Sequence, residues 1–287
     1  MRRFGPVLGI AALAHLLGLW GFGAPALLLI GIAIIATCTV LAMELKTGPM
    51  AFAHDLMRSP DAPYASWLAA TVVIISSLIH AGTGVALAIW SVGVALSGGF
   101  AALGVRAIVR DWHDLDLAHI AWFAPLLVAG LDAQPNIAAH LRDAVGWSGF
   151  AGMLIVLWAS THRAITHHAP PMRSPWYAIG GGAIMSLWCV EVLQPGEATM
   201  ITIALGCAAL YWVVRIAQNH GWWSQGAWSN LFSLCSVAAL ALRLDARPIA
   251  VGFTMAACVV ALVDVARTFC GWRRNRNLEA SRLGEPC

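Results

Sequence analysis

Ten apolar runs divide this chain, and the connections between them are too short to hold a soluble domain. The runs cover roughly 4–22, 24–45, 65–82, 84–109, 118–135, 144–165, 175–193, 197–218, 225–244 and 248–271. Each is near the ~20 residues that a helix needs to cross the hydrocarbon core of a bilayer. Backbone in lipid must satisfy its hydrogen bonds internally, which leaves helices and closed barrels as spanning folds; runs of this length point to helices. Composition agrees. Of 287 residues, 60% are hydrophobic and only 11% charged, against about a quarter charged in soluble domains. The expected fold is an all-α integral membrane protein with ten transmembrane helices in a single domain, 1–287, ending in a short cytoplasmic tail over 272–287.

Charge orients the chain. With the N-terminus inside, 14 of the 17 basic residues fall on the cytoplasmic side, and only Arg142, Arg243 and Arg247 fall outside. That asymmetry follows the positive-inside rule for an even number of spans with both termini in the cytoplasm. The net charge of +3 then reports topology and gives no sign of a nucleic-acid partner. The opening MRRFGPVLGIAALAHLLGLW resembles a secretory signal, but it also makes a good first helix of a hairpin and is expected to stay. Most outer connections are tight and most inner ones longer, so the spans read as five helical hairpins. The seven cysteines sit singly, without a CxxC, mostly in or at the edge of apolar runs. Buried, inert thiols are expected, with no metal site and no disulfide.

The odd-numbered spans share a character. The first carries Pro6 and Gly9, the third Ser76 and Ser77, the fifth Pro125, the seventh Gly180, Gly181 and Gly182, and the ninth Ser229, Ser233 and Ser236. Proline and glycine kink helices, and freed carbonyls or small hydroxyls could face a solute path. Close helix packing through small residues explains the same pattern. The ninth run adds one bulky ring, Phe232, among serines and alanines. On position alone it is either a lipid-facing or core aromatic, or a plug in the space that small residues leave.

Three stretches resemble a known family. FGPVLGIAALA (Phe4 to Ala14), AWFAPLLVAG (Ala121 to Gly130, with Trp122 and Pro125 on the motif) and WSNLF (Trp228 to Phe232) are similar to the first, fifth and ninth helices of the tellurite-resistance/dicarboxylate transporter family. That family includes bacterial TehA and the slow-type anion channels of plant guard cells. The resemblance implies five hairpins, odd helices forming an inner pore and even helices an outer ring. It further implies a phenylalanine gate at Phe232, a homotrimer and a bacterial inner membrane. Pore-lining or kink candidates are Pro6, Gly9, Ser77, Trp122, Pro125, Gly181, Ser229 and Ser233. Departures occur: Ser233 stands where the family has proline, Ser59-Pro60 replaces a His-Pro, and Gly181-Gly182 replaces an Ala-Pro.

Ionisable residues at membrane depth are functional candidates. His15, well inside the first run, is either a packed neutral histidine or a proton relay. His80 and Glu191 stand near outer ends. Asp264 and Arg267 read as an intrahelical pair. His162, His167 and His168 cluster in an inner loop but lack a fourth metal ligand. Three functions follow. The first is a passive anion channel or uniporter for small inorganic or organic anions, without a cofactor and not an enzyme. The second is a proton-coupled carrier of C4-dicarboxylates, tellurite or another oxyanion. The third is a membrane-embedded enzyme or haem anchor, which would need axial histidines at matched depth; the candidates are His15 and His80, which differ in depth. No Walker A or GxGxxG motif occurs.

Overall fold

The computed structural model describes residues 4–46, 48, 50–51, 54, 65–79, 83–110, 112, 115–166, 176–219 and 227–283, with side chains described for all of these but 4–5, 176, 215–219, 227–229 and 267–283. Among the described residues there is no strand, and ten α-helices are bounded: α1 (Phe4–Leu19), α2 (Gly23–Lys46), α3 (Trp67–Leu78), α4 (Gly84–Arg110), α5 (Ala124–Leu131), α6 (Ala139–Thr166), α7 (Trp176–Val192), α8 (Pro195–Asn219), α9 (Ala227–Arg243) and α10 (Arg247–Leu283). A 3-10 helix, Leu117–Trp122, leads into α5.

The helices fall into two length classes, which departs from the expectation that each run forms a helix of about 20 residues. The odd-numbered helices have 16, 12, 8, 17 and 17 residues. The even-numbered ones have 24, 27, 28, 25 and 37. At ~1.5 Å per residue, none of the odd helices covers the ~30 Å hydrocarbon core alone. Among the described residues, five helices are long and apolar enough to cross a membrane, all of them even-numbered: α2, α4, α6, Pro195–Val214 of α8 and Arg247–Ala266 of α10. Burial explains the difference. A helix enclosed by protein need not carry its ends to the lipid surface, because its terminal backbone groups find partners inside. Helix α10 also runs on through residues 272–283, expected as a tail.

The contacts between helices sort the same way. Helix α1 packs on α3, α3 on α5, α5 on α7, α7 on α9, and α9 returns to α1. Each short helix also packs on the long helix that follows it. Helices α1 and α7 are apolar nearly all round, as buried helices are; from Ala178 to Cys189 of α7 every side chain but Ile179 is buried. Large exposed apolar side chains lie on the long helices and the turns beside them, for example Leu28, Ile35, Trp158, Met200, Ile203, Met255 and Leu262. Leu19 is the one on a short helix among the described residues. Such an apolar skin far exceeds the patch that a monomeric protein shows to water.

Local chemistry sets the break in the fifth run. Pro125 has no N–H to give to the carbonyl four residues back, that of Ala121. The Ser66 hydroxyl donates to the Ala121 carbonyl instead. The chain turns at Phe123, and Pro125 takes a place in the first turn of α5, where proline fits. At the other end, Trp90 Nε1 donates to the Ala129 carbonyl at 3.1 Å and Gln134 Nε2 to that of Ser76 at 3.0 Å. Glycines bring the helices close. A Cβ on Gly152 would stand 2.1–2.6 Å from the Phe123 ring, and one on Gly149 2.5 Å from the Leu127 nitrogen. The turn between α1 and α2 uses Gly21 at φ +81°, a conformation that favours glycine. Cysteines depart from expectation: Cys189 and Cys235 are buried, but Cys38 and Cys207 are exposed on α2 and α8. Their place in apolar runs reflects the apolar skin, not a core. Cys270 has no described side chain, and Cys287 lies outside the described residues.

Candidate functional site

A cavity of about 110 Å³ sits among the short helices and opens at one side. All five contribute to it: Ala12, His15, Leu16 and Leu19 from α1, Ile74 from α3, Val128, Leu131 and Asp132 from α5 and its end, Ile184, Leu187 and Glu191 from α7, and Phe232, Cys235, Ser236, Ala239 and Arg243 from α9. Among the described residues, none on a long helix lines it. The α9 residues recur at helical spacing and make one face, with Phe232 near the start of the helix and Arg243 at its end. The volume suits several waters or a small ion. The lining is apolar in the main, and its polar groups collect toward the helix C-termini.

Those polar groups form two pairs. Arg243 Nη2 lies 2.6 Å from Glu191 Oε1, joining the ends of α9 and α7. His15 Nε2 lies 3.7 Å from Asp132 Oδ1. The other imidazole nitrogen, Nδ1, is 3.4 Å from Ser77 Oγ, and that hydroxyl also donates to the Ile74 carbonyl at 2.8 Å. His15 and Asp132 are the more enclosed pair, with side chains 27% and 14% exposed; Arg243, at 59%, is open to solvent.

Of the residues singled out in the sequence, Phe232 and His15 line the cavity, and Ser77 supports His15 from behind. The others stand elsewhere. Trp122 is buried with its ring 5.8 Å from that of Phe100. Gly181 faces Ile120 and Met153, and Ser233 packs against Gly180. Pro6 and Gly9 lie on α1 and Pro125 at the break before α5, outside the cavity lining. Helix α9 is continuous through Ser233. Ser229 lies on α9 without a described side chain, as does Arg267 on α10, while Asp264 is buried. His162 is exposed at the end of α6; His80, His167, His168 and Ser59-Pro60 lie outside the described residues. Among the described residues no group of three or more His, Cys, Asp and Glu could hold a metal ion.

Asp132 and the Glu191–Arg243 pair were not anticipated as parts of one site. For Asp132 a signal existed: an acid inside an apolar run marks function. Glu191 and Arg243 required knowledge that α7 and α9 are neighbours.

Fold and cavity together define an all-helical protein with five helices suited to cross a membrane and a partly charged cavity enclosed by five shorter ones. No protein-family model matches the chain, and no curated protein is similar to it in sequence.

Proposed function

We propose that this protein carries small anions passively across a membrane, as a channel or uniporter, along a path inside the ring of α1, α3, α5, α7 and α9, with Phe232 as its plug. The observation that carries this reading is the position of Phe232 on a cavity that all five short helices share. The closed sequence of contacts among those helices, with the long helices packed on them, fits odd helices as an inner ring and even helices as an outer one. It fits the five-hairpin layout implied by the resemblance to the tellurite-resistance/dicarboxylate transporters.

Lipid against the exposed apolar faces accounts for their side chains. From Phe232 up to Arg243 the described α9 residues on the cavity are apolar or small, and none before Arg243 is a fixed cation to trap an anion. Selection would then follow dehydration cost, favouring anions that release water readily. A bacterial inner membrane, cytoplasmic termini and a homotrimer complete the reading and rest on the sequence pattern and the resemblance. The test is anion current across planar bilayers. The native protein should pass a small current, Phe232→Ala a much larger one, with permeabilities ordered by ease of dehydration. Equal currents would remove Phe232 from the path.

A further inference from the structure

The charges around the cavity do not suit an anion as they stand. Arg243 is matched by Glu191 at 2.6 Å, so Asp132 is left as an excess negative charge unless a proton joins it. The C-terminal ends of α1, α5, α7 and α9 also meet here, and helix C-termini carry partial negative charge. Arg243 stands in solvent, where water and salt screen it, while Asp132 is enclosed and screened less. An anion ~5 Å from that carboxylate, at an effective dielectric of ~20, would be disfavoured by roughly 10²-fold.

Hydrogen bonding around His15 points to where the compensating proton goes. The single hydrogen of the Ser77 hydroxyl is drawn to the Ile74 carbonyl at 2.8 Å, a shorter contact than the 3.4 Å to His15 Nδ1. Nδ1 is then the donor to Ser77 Oγ, since a hydroxyl keeps acceptor lone pairs. In a neutral ring that leaves Nε2 as a lone pair aimed at Asp132 Oδ1, 3.7 Å away. Two acceptors facing each other call for a proton between them, on the imidazole or on the acid. The remaining titratable groups on the cavity are Glu191, already paired with Arg243, and the Cys235 thiol.

We propose that His15 and Asp132 form a one-proton site, and that a monovalent anion occupies the cavity only when this site is loaded. This rests on the anion reading above and adds to it the charge class of the solute. With the proton in place the cavity is neutral before the anion enters. A divalent anion would still leave it two charges in deficit and is disfavoured.

The test is proton uptake by purified protein in weakly buffered detergent with a pH indicator, on addition of sodium nitrate, from mildly acidic to mildly alkaline pH. Native protein should take up close to one proton per chain at its alkaline end, and nitrate affinity should fall by about tenfold per pH unit there. Sodium sulfate at equal ionic strength should draw less. Asp132→Asn should take up none while binding nitrate with no pH dependence. Absence of uptake by the native protein at every pH overturns the proposal without need of any variant. Retention of uptake in Asp132→Asn overturns the assignment to this pair. Phe232→Ala currents without proton uptake would sink this inference and leave the anion path standing; uptake without currents would do the reverse.

Discussion

Arg243 Nη2 lies 2.6 Å from Glu191 Oε1, so the last residue of α9 is tied to the last turn of α7 at the edge of the cavity that both line. The pair is open to solvent, with side chains 59% and 30% exposed, and a bridge of that kind contributes only ~0–1 kcal/mol to stability. On the anion path proposed above its effect would be larger, because the two charges have opposite influence on a nearby anion. Glu191→Gln should raise nitrate flux into proteoliposomes several-fold, and Arg243→Gln should lower it. Both differences should shrink as salt is raised. Thermal unfolding of the two variants should stay within a few degrees of the native protein. Flux changes of the same sign would mean that the pair acts by packing instead.

Ala239 occupies the cavity face of α9 between Phe232 and Arg243, whereas Val237 on the same helix does not line the cavity. A cysteine at 239 should therefore meet water. In a background with all seven native cysteines replaced by alanine, Ala239→Cys should react with a charged, membrane-impermeant thiol reagent added on one side only. Val237→Cys should stay unlabelled. The reactive side is expected to be the periplasmic one, given the distribution of basic residues in the sequence. Labelling from the cytoplasmic side alone would invert the topology; labelling of both cysteines would mean that the helix face is misassigned.

How far the sequence foresaw this site depended on the residue. Phe232 and His15 stood out because each breaks the pattern of its own run, a ring among small residues and an ionisable group at depth. Asp132 breaks its run in the same way, yet it lies where the helix of the fifth run has just ended, an ending that an apolar count does not mark. The lengths of the short helices were invisible to an apolar count. Hydropathy reports how far apolar residues extend, and Ser66 shows what it omits: a distant hydroxyl that takes the Ala121 carbonyl left by Pro125. The small residues gave a pattern with two physical meanings, a path or close packing. Gly181 resolves toward packing against Ile120 and Met153. Trp122 does so through Phe100.

That packing can be tested directly. A Cβ on Gly152 would fall 2.1–2.6 Å from atoms of the Phe123 ring, and Phe123 is buried at the break before α5. The opposite edge of the ring lies close to Gly104 of α4, so the ring is held between two helices. Gly152→Ala should cost ~1–3 kcal/mol, the usual range for overpacking, seen as a lower melting temperature in detergent. Gly98→Ala, where nothing lies within 4 Å of the added carbon, should be neutral or slightly stabilising, since alanine is the better helix former. Equal effects of the two substitutions would show that α6 does not approach the break so closely.

The apolar skin makes the last prediction. Ile35 is 69% exposed near the middle of α2, a helix long and apolar enough to cross a membrane. In water, lysine at such a position would be harmless or would improve solubility. At the centre of a lipid-facing helix a lysine costs ~2.5–3.5 kcal/mol on insertion scales, and the loss of isoleucine adds to that. Ile35→Lys should therefore reduce the membrane-integrated fraction of expressed protein severely. Lysine in place of Lys46's neighbour Leu45, at the end of the same helix, should be tolerated, because a long side chain there reaches the interface. Comparison of the two variants by carbonate extraction of membranes is the measurement. Full integration of Ile35→Lys would mean that this face of α2 meets protein or water, not lipid, and that the exposed apolar surface has some other cover.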